Sequence, residues 1–227
     1  MAREPDTAAE TPLDLPAAPH RPLSKRALAT RNALLDAARQ VFAARGFEGA
    51  TISEIVARSG TSVGSLYNQF GGKEHLFLEL HRRHSELLWE ATQQAMERAR
   101  ATGERDPFRL YLAGARAYLL ACWDERDLAR LFLSGEGPPG FDAIARGALR
   151  RWINQNADVL QVTGRRFGEA LAAAVTGVVA AGARQVVACP ARDDAAEMTE
   201  YFAMLVTRLA QPADQPGTHY LKRDFNL

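Results

Sequence analysis

The sequence predicts an all-α protein in which a small N-terminal three-helix domain precedes a larger helical domain. Three observations predict this fold class. Apolar residues recur at three- and four-residue spacing through most of the 227 residues. Capping residues, glycines and prolines fall where these periodic segments begin and end, and no segment is a convincing strand. A hydrophobic fraction of 47% is enough for a sizeable core.

The first helix is predicted to begin near Ser24 and to end at Gly46, because glycine readily adopts the left-handed conformation that closes a helix. Phe47 follows this glycine and is placed to pack back against the helix. The apolar stripe of the helix consists of Leu34, Leu35, Ala38, Val41 and Phe42. This stripe predicts one buried face.

The second helix begins at Thr51-Ile52-Ser53-Glu54, which has the form of a capping box. In a capping box the threonine hydroxyl and the glutamate side chain each satisfy an amide at the helix start. Gly60 is predicted to end this helix. Its buried face is expected to contain Ile52, Ile55 and Val56.

A short third helix is predicted over residues 63 to 69, with Ser62 as its N-cap. Two turns cannot persist on propensity alone, so Leu66 and Phe70 are expected to anchor the helix to its neighbours. The outward positions are uncharged and rich in hydrogen-bonding groups: Ser62, Val63, Ser65, Tyr67, Asn68 and Gln69. Such a free face behind a tight glycine-containing turn is typical of a helix that reads the major groove of DNA.

The remainder of the chain is predicted to be helical. A long helix runs from near Lys73 towards Arg100, and further helices are expected at 106–122, 124–133, 143–156, 164–188 and 193–209. We therefore predict a disordered leader (1–23), a helix-turn-helix domain (24–72), a larger helical domain (73–211) and a flexible tail (212–227).

The charge distribution favours contact with nucleic acid. Residues 1–20 carry a net charge of −3, residues 21–73 carry +5, and the remaining residues carry −1. A positive block of about fifty residues is what a nucleic-acid-binding segment needs.

The sequence shows no feature of a membrane or secreted protein. The longest apolar run, residues 170–183, is too short to span a bilayer, and the N-terminus lacks the apolar core of a signal peptide. Cys122 and Cys189 are too few for a disulfide framework. We therefore expect a cytoplasmic protein with reduced cysteines, no membrane contact, no cofactor and no metal.

Residues Gly60-Thr61-Ser62-Val63-Gly64 also match the G-x-S-x-G pattern of a hydrolase nucleophile. That chemistry needs a strand before the serine and a helix after it, whereas the preceding segment reads as a capped helix. The pattern favours Ser62 as a helix cap, and the hydrolase remains the alternative from a different functional class.

Two further motifs are interpreted as structural. Gly135-x-Gly137-x-x-Gly140 matches a dinucleotide-binding fingerprint, but the segment before it continues a helical pattern and prolines remove two of the amides that would bind phosphate. It is predicted to be a linker between helices. His81 and His84 share one helical face, which we predict to be solvated because the other ligands of a metal site are missing.

Residues 31–76 resemble the N-terminal DNA-binding domain of the tetracycline-repressor (TetR) family. The matching residues are Leu35, Ala37, Ala38, Phe42, Gly46, Phe47, Thr51, Ile55, Ala57, Gly60, Ser62, Gly64, Leu66, Tyr67, Phe70, Lys73 and Leu76. The match covers about a fifth of the chain, and the rest agrees with the family in length and helical character only.

The resemblance implies roles for individual residues. Thr51, Tyr67 and Lys73 would contact phosphates. Val63, Ser65 and Asn68 fall at base-contacting positions, where Asn68 could pair with adenine. Ser62 and Gln69 complete the predicted DNA-binding set.

In the C-terminal two thirds, the last two helices are apolar around much of their circumference, which favours pairing with a second copy. The resemblance implies a four-helix interface, for which we predict Leu171, Val175, Val179, Tyr201, Phe202 and Leu205. The competing interpretation is a core within one chain.

Aromatic residues of the same region are candidates for an effector pocket. The predicted lining residues are Trp89, Tyr111, Arg116, Tyr118, Trp123, Phe132, Phe141 and Trp152, with Arg116 facing an anionic end. The chain is thus predicted to be a homodimeric regulator, a repressor released from a near-palindromic double-stranded operator by a small, mostly apolar effector. A DNA-binding module without an effector is the other alternative.

Overall fold

A computed structural model describes residues 24–210, and between these limits every regular element is an α-helix. The predicted all-α fold class is confirmed. The predicted leader and the predicted tail both lie outside the described residues. The helices are α1 (Lys25–Gly49), α2 (Ile52–Ser59), α3 (Val63–Phe70), α4 (Lys73–Ala101), α5 (Pro107–Asp124), α6 (Arg126–Leu133), α7 (Phe141–Val159), α8 (Gly168–Val186) and α9 (Arg192–Ala210).

Local capping determines where several helices begin. The side chain of Ser24 accepts a hydrogen bond from the amide of Ala27, and Asp106 accepts one from Arg109 at the start of α5. Each of these bonds satisfies one of the amides that lack a partner in the first turn. Gly46 interrupts α1 as predicted, with φ 67° and ψ −179°, so the segment that follows turns towards α2.

Helix α8 begins four residues later than predicted. Gly164 and Phe167 both adopt left-handed backbone angles, with φ of 75° and 63°. Neither residue can therefore belong to a right-handed helix, and the segment from Thr163 to Phe167 consists of turns and a bend.

The buried side chains form two main clusters. The first consists mainly of residues from α1, α2, α3 and α4. Leu128 and Leu131 of α6 and Phe141 of α7 also belong to it. The second lies among α5, α8 and α9. Because the first cluster crosses the predicted domain boundary after Gly72, the helix-turn-helix segment is packed directly against the larger helical part.

The segment Gly135–Gly140 connects α6 to α7 and is preceded by a helix, as the linker interpretation requires. A Cβ atom at Gly137 would lie 2.6 Å from the Phe141 ring, closer than non-bonded carbons can approach. The middle glycine therefore allows the loop to pack on a buried aromatic ring.

No helix between residues 24 and 210 combines the length and the apolar character that a membrane crossing requires.

Candidate functional site

Helix α3 is held on the protein by two buried side chains. Leu66 and Phe70, four residues apart, belong to the first core cluster. Ser62 caps the helix: its Oγ accepts from the Ser65 amide at 3.1 Å and lies 3.0 Å from Ser65 Oγ. The regular element that precedes Ser62 is helix α2, not a strand. Ser62 is therefore a structural cap, and the hydrolase alternative is wrong.

The opposite side of α3 faces solvent. Val63 is 47% exposed and Tyr67 is 51% exposed, and Asn68 is also exposed. Ser65 and Gln69 are half-buried at the edges of this face. A solvent face that combines a methyl-bearing, a phenolic and an amide side chain without any charge matches the groups that bind base edges and phosphates.

The turn between α2 and α3 is closed by local hydrogen bonds. Gly60 adopts the left-handed conformation (φ 65°) and its amide donates to Val56 O. The amide of Thr61 also donates to Val56 O, at 3.2 Å, and the hydroxyls of Ser59 and Thr61 lie 2.7 Å apart. These contacts fix the direction in which α3 leaves α2.

Arg31 joins three helices at the other end of α3. Its guanidinium donates to Gln69 O at 3.1 Å and to Glu79 Oε1 at 2.8 Å, and it lies over the Phe70 ring, 4.3 Å from the centroid. Sequence reasoning missed Arg31, because its partners lie 38 and 48 residues away along the chain.

Glu79 is the acceptor at the centre of this cluster and is only 8% exposed. It receives hydrogen bonds from Arg31, Arg82 and Arg83. Burial alone would raise the pKa of Glu79, but hydrogen bonds and charge attraction from Arg82 and Arg31 lower it to about 2. The carboxylate therefore stays ionised and holds Arg31 against α3.

The predicted phosphate contacts differ in their surroundings. Thr51 is exposed and its Oγ1 accepts from the Glu54 amide at 3.2 Å, whereas the Glu54 carboxylate lies 3.8 Å from Arg45. Lys73 Nζ donates to Phe47 O at 2.9 Å and Ala50 O at 3.1 Å. Lys73 thus closes the α1–α2 turn with two of its three donors, and its phosphate contact stays a prediction.

Residues 34–80 match the model of the family described as bacterial regulatory proteins, tetR family. The likeness to the tetR family is therefore established for residues 34–80. The matched residues include the helix-turn-helix whose geometry is described above.

Curated relatives agree with this tetR-family assignment over the same part of the chain. The HTH-type transcriptional repressor AcnR of Corynebacterium glutamicum is 37% identical over 65 residues, which are 29% of this chain and 35% of the relative. The HTH-type transcriptional activator FasR of Mycolicibacterium smegmatis is 39% identical over 66 residues, 29% of this chain and 30% of the relative. The chain thus spans about a third of the length of the curated relatives it matches.

Solved tetR-like structures share the whole fold. A TetR-like transcriptional regulator from Rhodococcus sp. RHA1 superposes with a TM-score of 0.63 at 23% identity, covering 79% of this chain and 96% of that one. A transcriptional regulator from Aquifex aeolicus VF5 gives a TM-score of 0.62 at 18% identity, covering 79% and 99%. At these identities the likeness establishes the fold.

The larger helical part of the chain contains a cavity between α5, α7 and α8. Its lining residues are Tyr111, Ala115, Tyr118, Leu149, Trp152, Asn156, Thr176, Val179 and Ala180. Three of the predicted pocket residues line it: Tyr111, Tyr118 and Trp152. Trp89 packs against the lining residue Trp152, with ring centroids 5.4 Å apart.

The other predicted pocket residues lie elsewhere in the fold. Arg116 forms a two-pronged ion pair with Glu200 at 2.7 and 2.8 Å near the surface. Trp123 donates its ring N–H to Cys189 O at 3.1 Å. Phe132 and Phe141 pack with the first core cluster. These four residues do not line this cavity, and their assignment to an effector pocket stays a prediction.

Sequence reasoning missed the polar residues of the cavity. Asn156 Nδ2 donates to Thr176 Oγ1 at 2.9 Å, and Thr176 Oγ1 donates to Ala172 O at 2.6 Å. In the sequence, a single threonine within an apolar helix is typical of a core position. Only the packing of α7 against α8 shows that Asn156 and Thr176 both lie at the cavity.

The predicted dimer residues divide into two groups. Val175, 0% exposed, and Val179 lie in the core within the chain, so their prediction as interface residues is wrong. Both lie on the side of α8 that contacts α5. Tyr201 is 53% exposed, and the half-buried members are Leu171, Phe202 and Leu205.

The prediction of a solvated face at His81 and His84 is wrong. His84 is buried, and both rings pack against Phe132 of α6, at centroid distances of 5.3 and 5.0 Å. Burial lowers the pKa of each histidine to about 4, assisted at His81 by the charge of Arg151. Both rings are therefore neutral components of the contact between α4 and α6.

Proposed function

We propose that this protein is a homodimeric, sequence-specific DNA-binding transcriptional regulator, a repressor that a small, mostly apolar effector releases from a near-palindromic operator. The observation that carries the DNA-binding part is the α3 face. Val63, Tyr67 and Asn68 point outward from a helix that Leu66 and Phe70 fix to the core. A short helix anchored in this way can enter the major groove while its outward groups contact bases and phosphates.

The homodimer is supported by the outer surface of α8 and α9. On the exposed side of α8, one stripe along the helix consists of small residues: Ala170, Ala173, Ala174, Gly177 and Ala181. Neighbouring α9 exposes Tyr201, Met204 and Leu209. A smooth stripe beside large apolar side chains suits close packing of the same surface from a second copy. Two reading helices would then face successive major grooves.

Regulation by an effector is supported by contacts that connect the cavity to α1. Arg39 of α1 donates to both carboxylate oxygens of Asp127 at 2.6 and 2.7 Å and to Glu125 at 2.6 Å. Asp127 belongs to α6, from which Arg130 donates to Val187 O at the end of α8. Since α8 lines the cavity, a ligand that favours one position of α8 can shift the orientation of the reading helix.

The test of DNA binding uses an operator selected by the protein itself from a random pool of DNA duplexes. Asn68→Ala is expected to weaken binding to the selected duplex about tenfold and to relax preference at one base pair, because a bidentate base contact contributes about 1–3 kcal/mol. Tyr67→Ala is expected to weaken binding to all duplexes alike. Affinities are measured by fluorescence anisotropy at several salt concentrations.

Asn154→Ala is the matched control, since Asn154 is also an exposed helical asparagine but lies on α7. It is expected to bind as the wild type does. Failure to enrich any duplex, or wild-type affinity in both α3 variants, would contradict the proposal.

A second prediction concerns the positioning of α3 by Arg31. Arg31→Lys keeps the charge but cannot donate to Gln69 O and Glu79 together while covering the Phe70 ring. Operator affinity is expected to fall about fivefold, with an unchanged dependence on salt because no phosphate contact is lost. A reduced salt slope would instead identify Arg31 as a direct phosphate contact.

A further inference from the structure

One residue that lines the cavity between α5, α7 and α8, Tyr111, has a polar group without a partner. Tyr111 is 4% exposed, and its hydroxyl forms no hydrogen bond with any described residue. A buried hydroxyl is costly to leave unpaired. By contrast, the Thr176 hydroxyl is paired with Asn156 and with the backbone of α8.

The rest of the lining is apolar or aromatic. Tyr118 and Trp152 form ring walls whose centroids lie 5.5 Å apart, and Ala115, Val179 and Ala180 complete the interior. No Asp, Glu, Lys, Arg or His is among the described lining residues. A charged ligand would lose its hydration here without gaining a counter-charge, so the lining selects neutral molecules.

The cavity also has a defined direction. Leu149 lines it and is 43% exposed, which places the mouth at α7. The cavity volume of about 60 Å³ is several times what one water molecule needs. It suits the polar end of a ligand whose apolar remainder extends over Leu149.

The geometry points to a specific ligand class: a neutral, largely apolar molecule that inserts a carbonyl oxygen to accept a hydrogen bond from the Tyr111 hydroxyl. Burial raises the pKa of Tyr111, which keeps its phenol protonated as a donor. The inference rests on the proposed function only in that the cavity is taken as the effector site; the ligand class follows from its lining.

Three probe molecules of similar size separate the effects of an apolar ring, a carbonyl group and a negative charge on binding. Acetophenone supplies a ring and a carbonyl, ethylbenzene lacks the carbonyl, and benzoate carries a negative charge. Binding to the full-length protein is measured by ligand-observed NMR titration. We expect acetophenone to bind about tenfold more tightly than ethylbenzene, and benzoate to bind more weakly than both, for the reasons of pairing and desolvation given above.

Tyr111→Phe removes only the hydroxyl and is expected to reduce acetophenone affinity about tenfold while leaving ethylbenzene unchanged. Thr102→Val, which removes an exposed hydroxyl outside the cavity, is the control and is expected to bind all three probes as the wild type does. Equal affinity of wild type and Tyr111→Phe for acetophenone, or preference for benzoate, would overturn the inference.

Release of the selected duplex by acetophenone is measured separately. Binding that depends on Tyr111 without release supports the ligand class and contradicts the effector part of the proposed function. Release that is unaffected by Tyr111→Phe supports the proposed function and contradicts the ligand class.

Discussion

Phe77→Ala is expected to reduce the free energy of unfolding by about 4 kcal/mol, the typical cost of removing a fully buried phenylalanine. Phe77 is 0% exposed. Its ring meets those of Phe42, Phe47, Phe132 and Phe141 edge-on, at centroid distances of 5.1 to 5.4 Å. Such pairs add stabilisation beyond the area they bury.

The position of these partners adds a second consequence. Phe42 and Phe47 belong to α1, whereas Phe132 and Phe141 belong to α6 and α7. The substitution is therefore expected to loosen the contact between the helix-turn-helix and the larger helical part, and to weaken operator binding as well as stability.

Urea unfolding followed by circular dichroism at a fixed protein concentration measures the effect. Leu87→Ala is the matched control, because Leu87 lies on the same helix but is exposed, and a loss below about 1 kcal/mol is expected there. A similar small loss for Phe77→Ala would show that the aromatic cluster does not hold the two parts together.

The second large effect is a loss of stability in mild acid. Burial lowers the pKa of His81 and His84 from 6.5 to about 4. Between these values the unfolded chain binds more protons than the folded one, so stability is fully present above pH 6.5 and is lost as the pH falls towards 4. At about 1.4 kcal/mol per pH unit for one group, each histidine contributes a loss of about 2.5 kcal/mol between pH 7 and pH 4.5, so we expect the free energy of unfolding to fall by about 5 kcal/mol over this range.

The charges near these rings come from three helices. Arg151 of α7 and Arg39 of α1 oppose protonation of His81 and His84 respectively, and Asp127 of α6 favours protonation of His84. Glu79, with its pKa lowered to about 2, contributes only below its usual pKa of 4.5. The window from pH 4.5 to 6.5 therefore reports on the histidines.

His84→Leu is expected to flatten the pH dependence of unfolding in this window while preserving the fold at pH 7, because the ring that it replaces has an unpaired buried Nδ1. His75→Leu, at an exposed position on the same helix, is expected to keep the wild-type pH dependence. Identical pH profiles for His84→Leu and the wild type would refute this account.

Helix starts were predictable from the sequence because the interactions that determine them are local. Ser24, Thr51, Ser62 and Asp106 each accept a hydrogen bond from an amide three residues later. Spacing alone reveals such a cap. The same holds for the outward face of α3, since Leu66 and Phe70 are one helical turn apart.

Tertiary structure decided the roles that depend on distant partners. The sequence alone could not show that Lys73 closes the α1–α2 turn, that Arg31 holds the end of α3, or that His84 is buried under α6, because these partners come from other helices. Periodicity identifies an apolar face, but it does not say which helix covers it. For that reason Val175 was assigned to a dimer interface, whereas the folded chain buries it internally.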